Sequence, residues 1–126
     1  MKMLSIVASA YRGTLEEQDD TIVWVSHAMK GAGADLALLL QHNAVNYGVT
    51  TQDASGLSFG AKQQTQPPRL QADVAALIAK GVTVYVVDDD LAARGIEKSE
   101  LIDGLTSVAR ADLPKVFSEY DQIWHW

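Results

Sequence analysis

The sequence predicts an α/β fold: a single three-layer domain spanning 1–126, built on a five-stranded, mainly parallel sheet. Three observations lead there. Five short apolar runs alternate with helical patterns, and strands that alternate with helices form parallel sheets covered on both faces. A chain of 126 residues has the length of one domain and supports one core. No internal repeat and no linker-like stretch divides it.

The elements follow in order. Met3 to Ala8 (MLSIVA) is a continuous apolar run bounded by Ser9, Tyr11 and Gly13, which suits a first strand. With its one preceding lysine the run superficially resembles a secretory leader. Its length and β-branched content fit a strand whose removal would delete part of the core, so a cytoplasmic protein is expected. Thr14 to Asp20 (TLEEQDD) gathers four carboxylates where a helix begins, complementing the helix dipole. Ile22, Val25 and Met29 recur at i, i+3 and i+7 and predict one buried stripe. Gly31-Ala32-Gly33 ends the helix.

Asp35 to His42 (DLALLLQH) reads as a second strand. Asn43 to Pro68 is polar, with three Gly, four Gln and two Pro, and reads as a long connection that is either a functional loop or partly disordered. Arg69 to Lys80 is helical, with Leu70, Val74, Leu77 and Ile78 on one face and Gly81 as its stop. Val82 to Val87 is the clearest strand, because four of its six residues are valine. Leu91 to Arg94 and Glu97 to Asp103 are short helical turns closed by Gly95 and Gly104. Leu105 to Ala109 is a weaker fourth strand and Asp112 to Tyr120 a last helix, with Asp112 as N-cap and Pro114 in the first turn. Gln122 to Trp126 is the terminal strand. Right-handed crossovers favour the flavodoxin-like order 2-1-3-4-5, which puts a ligand crevice beyond the carboxyl ends of strands one and three. The Asp88-Asp89-Asp90 triplet would then lie at that switch point.

Composition excludes several classes of function. The chain has no cysteine, so it has no disulfide, no thiolate nucleophile and no thiolate metal ligand. A net charge of −6 and ten singly scattered basic residues argue against nucleic acid. No apolar stretch reaches the 18 or so residues of a membrane-spanning helix.

The residues with chemical potential lie at the expected carboxyl edge. The three aspartates suit a divalent cation by charge. A phosphoacceptor would also need carboxylates after strand one, where Ala8-Ser9-Ala10-Tyr11 stands. The bland alternative is that one aspartate caps the helix at Leu91 and the others are solvated. No GxGxxG or GxxxxGK[ST] motif occurs, so neither a dinucleotide nor a P-loop site is supported. Ser9, Arg12 and Thr14 could hold an anion against the first helix. His27, His42 and His125 lack the i, i+4 spacing of a zinc site, and only His42, beside Asn43, falls at the functional edge. The candidate ligand-binding residues are therefore Tyr11, Arg12, His42, Asn43 and Asp88. No catalytic group, metal or cofactor is assigned. An acid–base pair of His42 with one of the aspartates is the weakest reading, because it depends on a geometry that sequence does not supply.

The segments "KGVTVYVV", "LAARGI", "LIDGL" and "VARADL", between Lys80 and Leu113, together with the order of elements along the chain, resemble the DsrE/DsrF-like family. That family includes the DsrEFH and TusBCD sulfur-relay subunits. The resemblance implies a persulfide-bearing cysteine in the loop after the third strand, which falls at Val87 or Asp88 here. With neither a cysteine, it implies a non-catalytic oligomeric subunit, linked to sulfur metabolism but unable to carry a persulfide itself. Its expected partners are further copies (a trimer or hexamer) or related subunits, one of which supplies the thiol. The alternative is a small-ligand or anion-binding protein using the crevice. Ile123-Trp124-His125-Trp126 at a sheet edge independently suggests an interface.

Overall fold

The structure, a computed structural model, describes residues 1–11 and 20–126. All five expected strands form one parallel sheet: β1 (Lys2–Val7), β2 (Asp35–Leu40), β5 (Thr83–Val87), β6 (Thr106–Val108) and β7 (Gln122–His125). A small antiparallel hairpin, β3 (Ser58–Phe59) with β4 (Lys62–Gln63), stands apart in the long connection. The helices are α1 (Thr21–Gly31), α2 (Leu70–Ala79), α3 (Asp88–Ala93) and α4 (Leu113–Phe117).

The strand order is β6-β5-β2-β1-β7, which corrects the flavodoxin-like order. In chain order the five strands run 4-3-2-1-5. The reason lies in how the helices pack. From β1 through β2 and β5 to β6 the chain steps in one direction, so right-handed crossovers put α1 and α2 on one face. There their apolar stripes (Ile22 and Val23; Leu70, Val74 and Leu77) share a core with Met3, Val7, Leu36, Leu38 and Leu40. The return from β6 to β7 runs across the opposite face. Its short α4 covers Leu4, Ile6, Ala37 and Leu39 with Leu113, Val116 and Phe117. β2 is thus the central strand, and its Leu38, Leu39 and Leu40 are fully buried.

Several local expectations shift. The buried residues of α1 are Ile22, Val23 and Ser26, while Val25 and Met29 are partly covered, so the stripe is rotated. The second strand stops at Leu40, because His42 turns to φ 51 and opens a 3-10 helix through Gly48. That helix buries Ala44, Val45 and Tyr47 inside a stretch whose composition reads as loop. α3 starts at Asp88 rather than Leu91, and its N-cap is Val87; no aspartate caps it through its side chain. The last helix is shorter than expected; Asp112 does stand at its N-cap position with Pro114 in the first turn, but it ends a preceding 3-10 turn and makes no side-chain cap bond.

Candidate functional site

The carboxyl ends of β1 and β2 each deliver one residue into left-handed backbone. Tyr11 (φ 55) and His42 (φ 51) are the only described non-glycine residues with positive φ. Such conformations cost of order 1–3 kcal/mol and persist where their surroundings enforce them. A different buried aspartate enforces each.

Asp20 lies wholly buried at the start of α1. One carboxylate oxygen accepts the N–H groups of Ile22 (2.8 Å) and Val23 (3.2 Å), capping the helix. The other accepts the Tyr47 hydroxyl at 2.7 Å, and that hydroxyl accepts the N–H of Tyr11 at 2.6 Å. Burial and the neighbouring Asp20 carboxylate push the Tyr47 hydroxyl above its ordinary pKa, so it stays protonated and donating. The Tyr11 ring meets the Tyr47 ring edge-on at 5.3 Å, and its hydroxyl donates to Gln52 at 2.8 Å.

Asp90 does the corresponding work for His42. It accepts the His42 N–H at 2.7 Å and pairs with Arg110, while Arg94 lies 3.9 Å away. Arg94 also donates to Asn43 Oδ1 through Nε (3.1 Å) and Nη2 (2.8 Å). Asp89 accepts the Arg110 N–H at 2.7 Å, and Asp88 pairs with Lys98 at 3.4 Å. The three aspartates therefore serve three different anchors and do not converge on one point.

Strand order separates the residues named from sequence. β2 lies between β1 and β5, so no crevice joins strands one and three. His42 and Asn43 come together with Asp90 and Arg94. Tyr11 faces a different cavity, of about 390 Å³, beside the first turn of α2. Asp88 lines a shallow groove along α3 with Gly95 and Lys98. Arg12 lies outside the described residues, as does the acidic run up to Asp19. Sequence reasoning missed Asp20, Tyr47 and Arg110, and named Asp90 only as one of the triplet. For Asp20 a signal was present: an Asp immediately before an apolar-periodic run is an N-cap pattern.

At the level of sequence, no protein-family model and no curated protein matches the chain. Solved structures do match it. The ychN protein from E. coli superposes with a TM-score of 0.77 at 21% identity, covering 99% of this chain and 98% of its own. The chain has a DsrE-like fold. MTH1491 from Methanobacterium thermoautotrophicum, a protein of unknown function, has a TM-score of 0.62 at 12% identity, covering 98% and 97%. Within this DsrE-like fold, no described helix is long and apolar enough to cross a membrane. β5 ends at Val87, fully buried in the sheet, and Asp88 opens α3 directly after it.

Proposed function

We propose that the chain is a non-catalytic DsrE/DsrF-like subunit that works as part of an oligomer. The junction of β5 with α3 carries this reading. A sulfur carrier needs a thiolate there, because the thiolate is the group that attacks and holds sulfur. This chain has Val87 packed into the sheet and three aspartates committed to Lys98, Arg110 and the His42 backbone. A role in sulfur metabolism then requires a partner chain that brings the cysteine.

The β7 edge supports assembly. No described strand pairs with its outer side, yet Ile123 is 42% and Trp126 45% exposed. Trp124 packs toward the α1 side of the sheet and meets Trp126 edge-on at 6.1 Å, so neither ring folds onto Val116 or Phe117 across the sheet. An apolar edge strand with unpaired backbone groups is stabilised by pairing with another chain. Light scattering coupled to size exclusion, over a dilution series at micromolar concentration, tests the reading. The expected mass is a multiple of 13.6 kDa; a 13.6 kDa species throughout overturns it. If an oligomer survives deletion of Trp124 to Trp126, assembly stands and another surface mediates it.

A further inference from the structure

The described residues include three arginines, and two of them are paired within the fold. Arg94 holds Asn43 and the Asp90 backbone, and Arg110 holds Asp90. Arg69 is different. Its guanidinium has no hydrogen bond or ion pair among the described residues, and its side chain lines the 390 Å³ cavity beside Tyr11. Ala54 and Pro68 supply apolar wall, and Asp53 supplies one carboxylate. The Ser55 side chain and the Ser55 N–H, which donates to that carboxylate at 2.9 Å, hold it below the usual carboxylate pKa and keep it ionised. The cavity thus carries one uncommitted cation, one fixed anion and an apolar surface. Its volume falls at the small end of the roughly 300–1,000 Å³ of small-molecule sites.

We propose that this cavity binds a small organic anion that also carries a hydrogen-bond donor, such as a hydroxy acid, an amino acid or a phosphate monoester of a polyol. The anionic group meets the Arg69 guanidinium, whose charge is permanent and whose fork matches carboxylate and phosphate oxygens. The first-turn amides of α2 assist: they have no intrahelical acceptor, and no side chain caps them. Asp73, also in that turn, lines a separate pocket with His27 and Trp24 and stays outside the cavity. The ligand's hydroxyl or ammonium group meets Asp53. Asp53 selects against a bare anion, which it repels, and the net charge of −6 disfavours loose accumulation of anions. This inference is independent of the oligomer reading, because every group it uses belongs to one chain.

The test uses the full chain and four probes at millimolar concentration: glycerol 3-phosphate, L-serine, inorganic phosphate and glycerol. Affinity is read from amide chemical shifts, with those of Leu70 to Ala72 reporting on the cavity. Glycerol 3-phosphate is expected to bind more tightly than inorganic phosphate, and glycerol not to bind. Arg69→Gln should weaken glycerol 3-phosphate by about tenfold or more, the scale of one charge-assisted hydrogen bond. Arg69 is exposed and caps nothing, so the variant should keep the wild-type melting temperature. Asp53→Asn should tighten inorganic phosphate and narrow its gap to glycerol 3-phosphate. Absence of binding by both glycerol 3-phosphate and serine, or equal affinity in wild type and Arg69→Gln, overturns the proposal. An unchanged gap in Asp53→Asn overturns the part assigned to Asp53.

Discussion

The two halves of the carboxyl edge solve the same problem with different chemistry. On the β1 side, Asp20 holds left-handed Tyr11 through the Tyr47 hydroxyl; on the β5 side, Asp90 holds left-handed His42 directly. Asp20 is buried among neutral donors, three of them: two helix amides and a phenol. Asp90 is compensated by guanidinium groups that remain partly in water, with Arg94 28% and Arg110 44% exposed at the side chain. The contrast separates conspicuous charge from available charge. The aspartate triplet dominates the sequence, yet its carboxylates are spent on local anchors. Arg69 stands alone in the sequence, and its guanidinium has no ion pair among the described residues.

Removing each acid should expose the difference. Asp20→Ala deletes an N-cap and leaves the buried Tyr47 hydroxyl without its acceptor, so a loss of about 2–4 kcal/mol is expected in urea unfolding. Asp90→Ala should cost about 1–3 kcal/mol, because the released arginines turn toward water while the His42 N–H loses its partner. Salt sharpens the comparison. High ionic strength screens partly exposed pairs, so it should shrink the Asp90→Ala loss and leave the Asp20→Ala loss nearly unchanged. Equal salt dependence would mean that the two halves are held by the same kind of force.

The centre of the sheet was legible in the sequence because β1, β2 and β5 are mostly apolar runs, and Val82 to Val87 alone fixes one of them. Its order was not legible. A strand buried on both faces reads the same at any interior position, so nothing in Met3 to Ala8 tells whether its second neighbour is β5 or β7. The long polar connection hid a buried turn for a related reason: Ala44, Val45 and Tyr47 are diluted by polar neighbours, and only tertiary contact reveals that they point inward. At the site, Tyr11 and His42 were found because strand ends are identifiable. Asp90 and Arg110 are 20 residues apart and meet only when β5 and β6 pair.

A smaller effect comes from pH. The folded state holds the Tyr47 proton above the ordinary value of 10.0, so above about pH 10 the unfolded chain loses a proton that the folded chain keeps. Fewer protons bound in the unfolded state means that stability falls as pH rises through that window, having been fully present below it. Tyr47→Phe removes this contribution, so its melting temperature should decline less steeply above pH 10 than that of wild type. Some decline remains in both, because burial also raises Tyr11, and burial with the Tyr85 hydrogen bond raises Tyr120. Parallel curves would show that Tyr47 does not couple Asp20 to Tyr11.

The smallest change is expected at Asp88, the triplet member nearest to where the family resemblance places a reactive residue. Its bond to Lys98 is a 3.4 Å pair with the lysine side chain 66% exposed. Such pairs contribute about 0–1 kcal/mol. The second carboxylate oxygen of Asp88 is buried and has no hydrogen-bond partner among the described residues, so a neutral amide gives up little there. Asp88→Asn should therefore shift stability by no more than about 0.5 kcal/mol, measured by urea unfolding, and leave the mass seen by light scattering unchanged. Adjacent Asp90 makes this a sharp comparison. If Asp88→Asn destabilises as strongly as Asp90→Ala, the whole triplet acts as one charge network, and anchoring of His42 cannot be assigned to a single carboxylate.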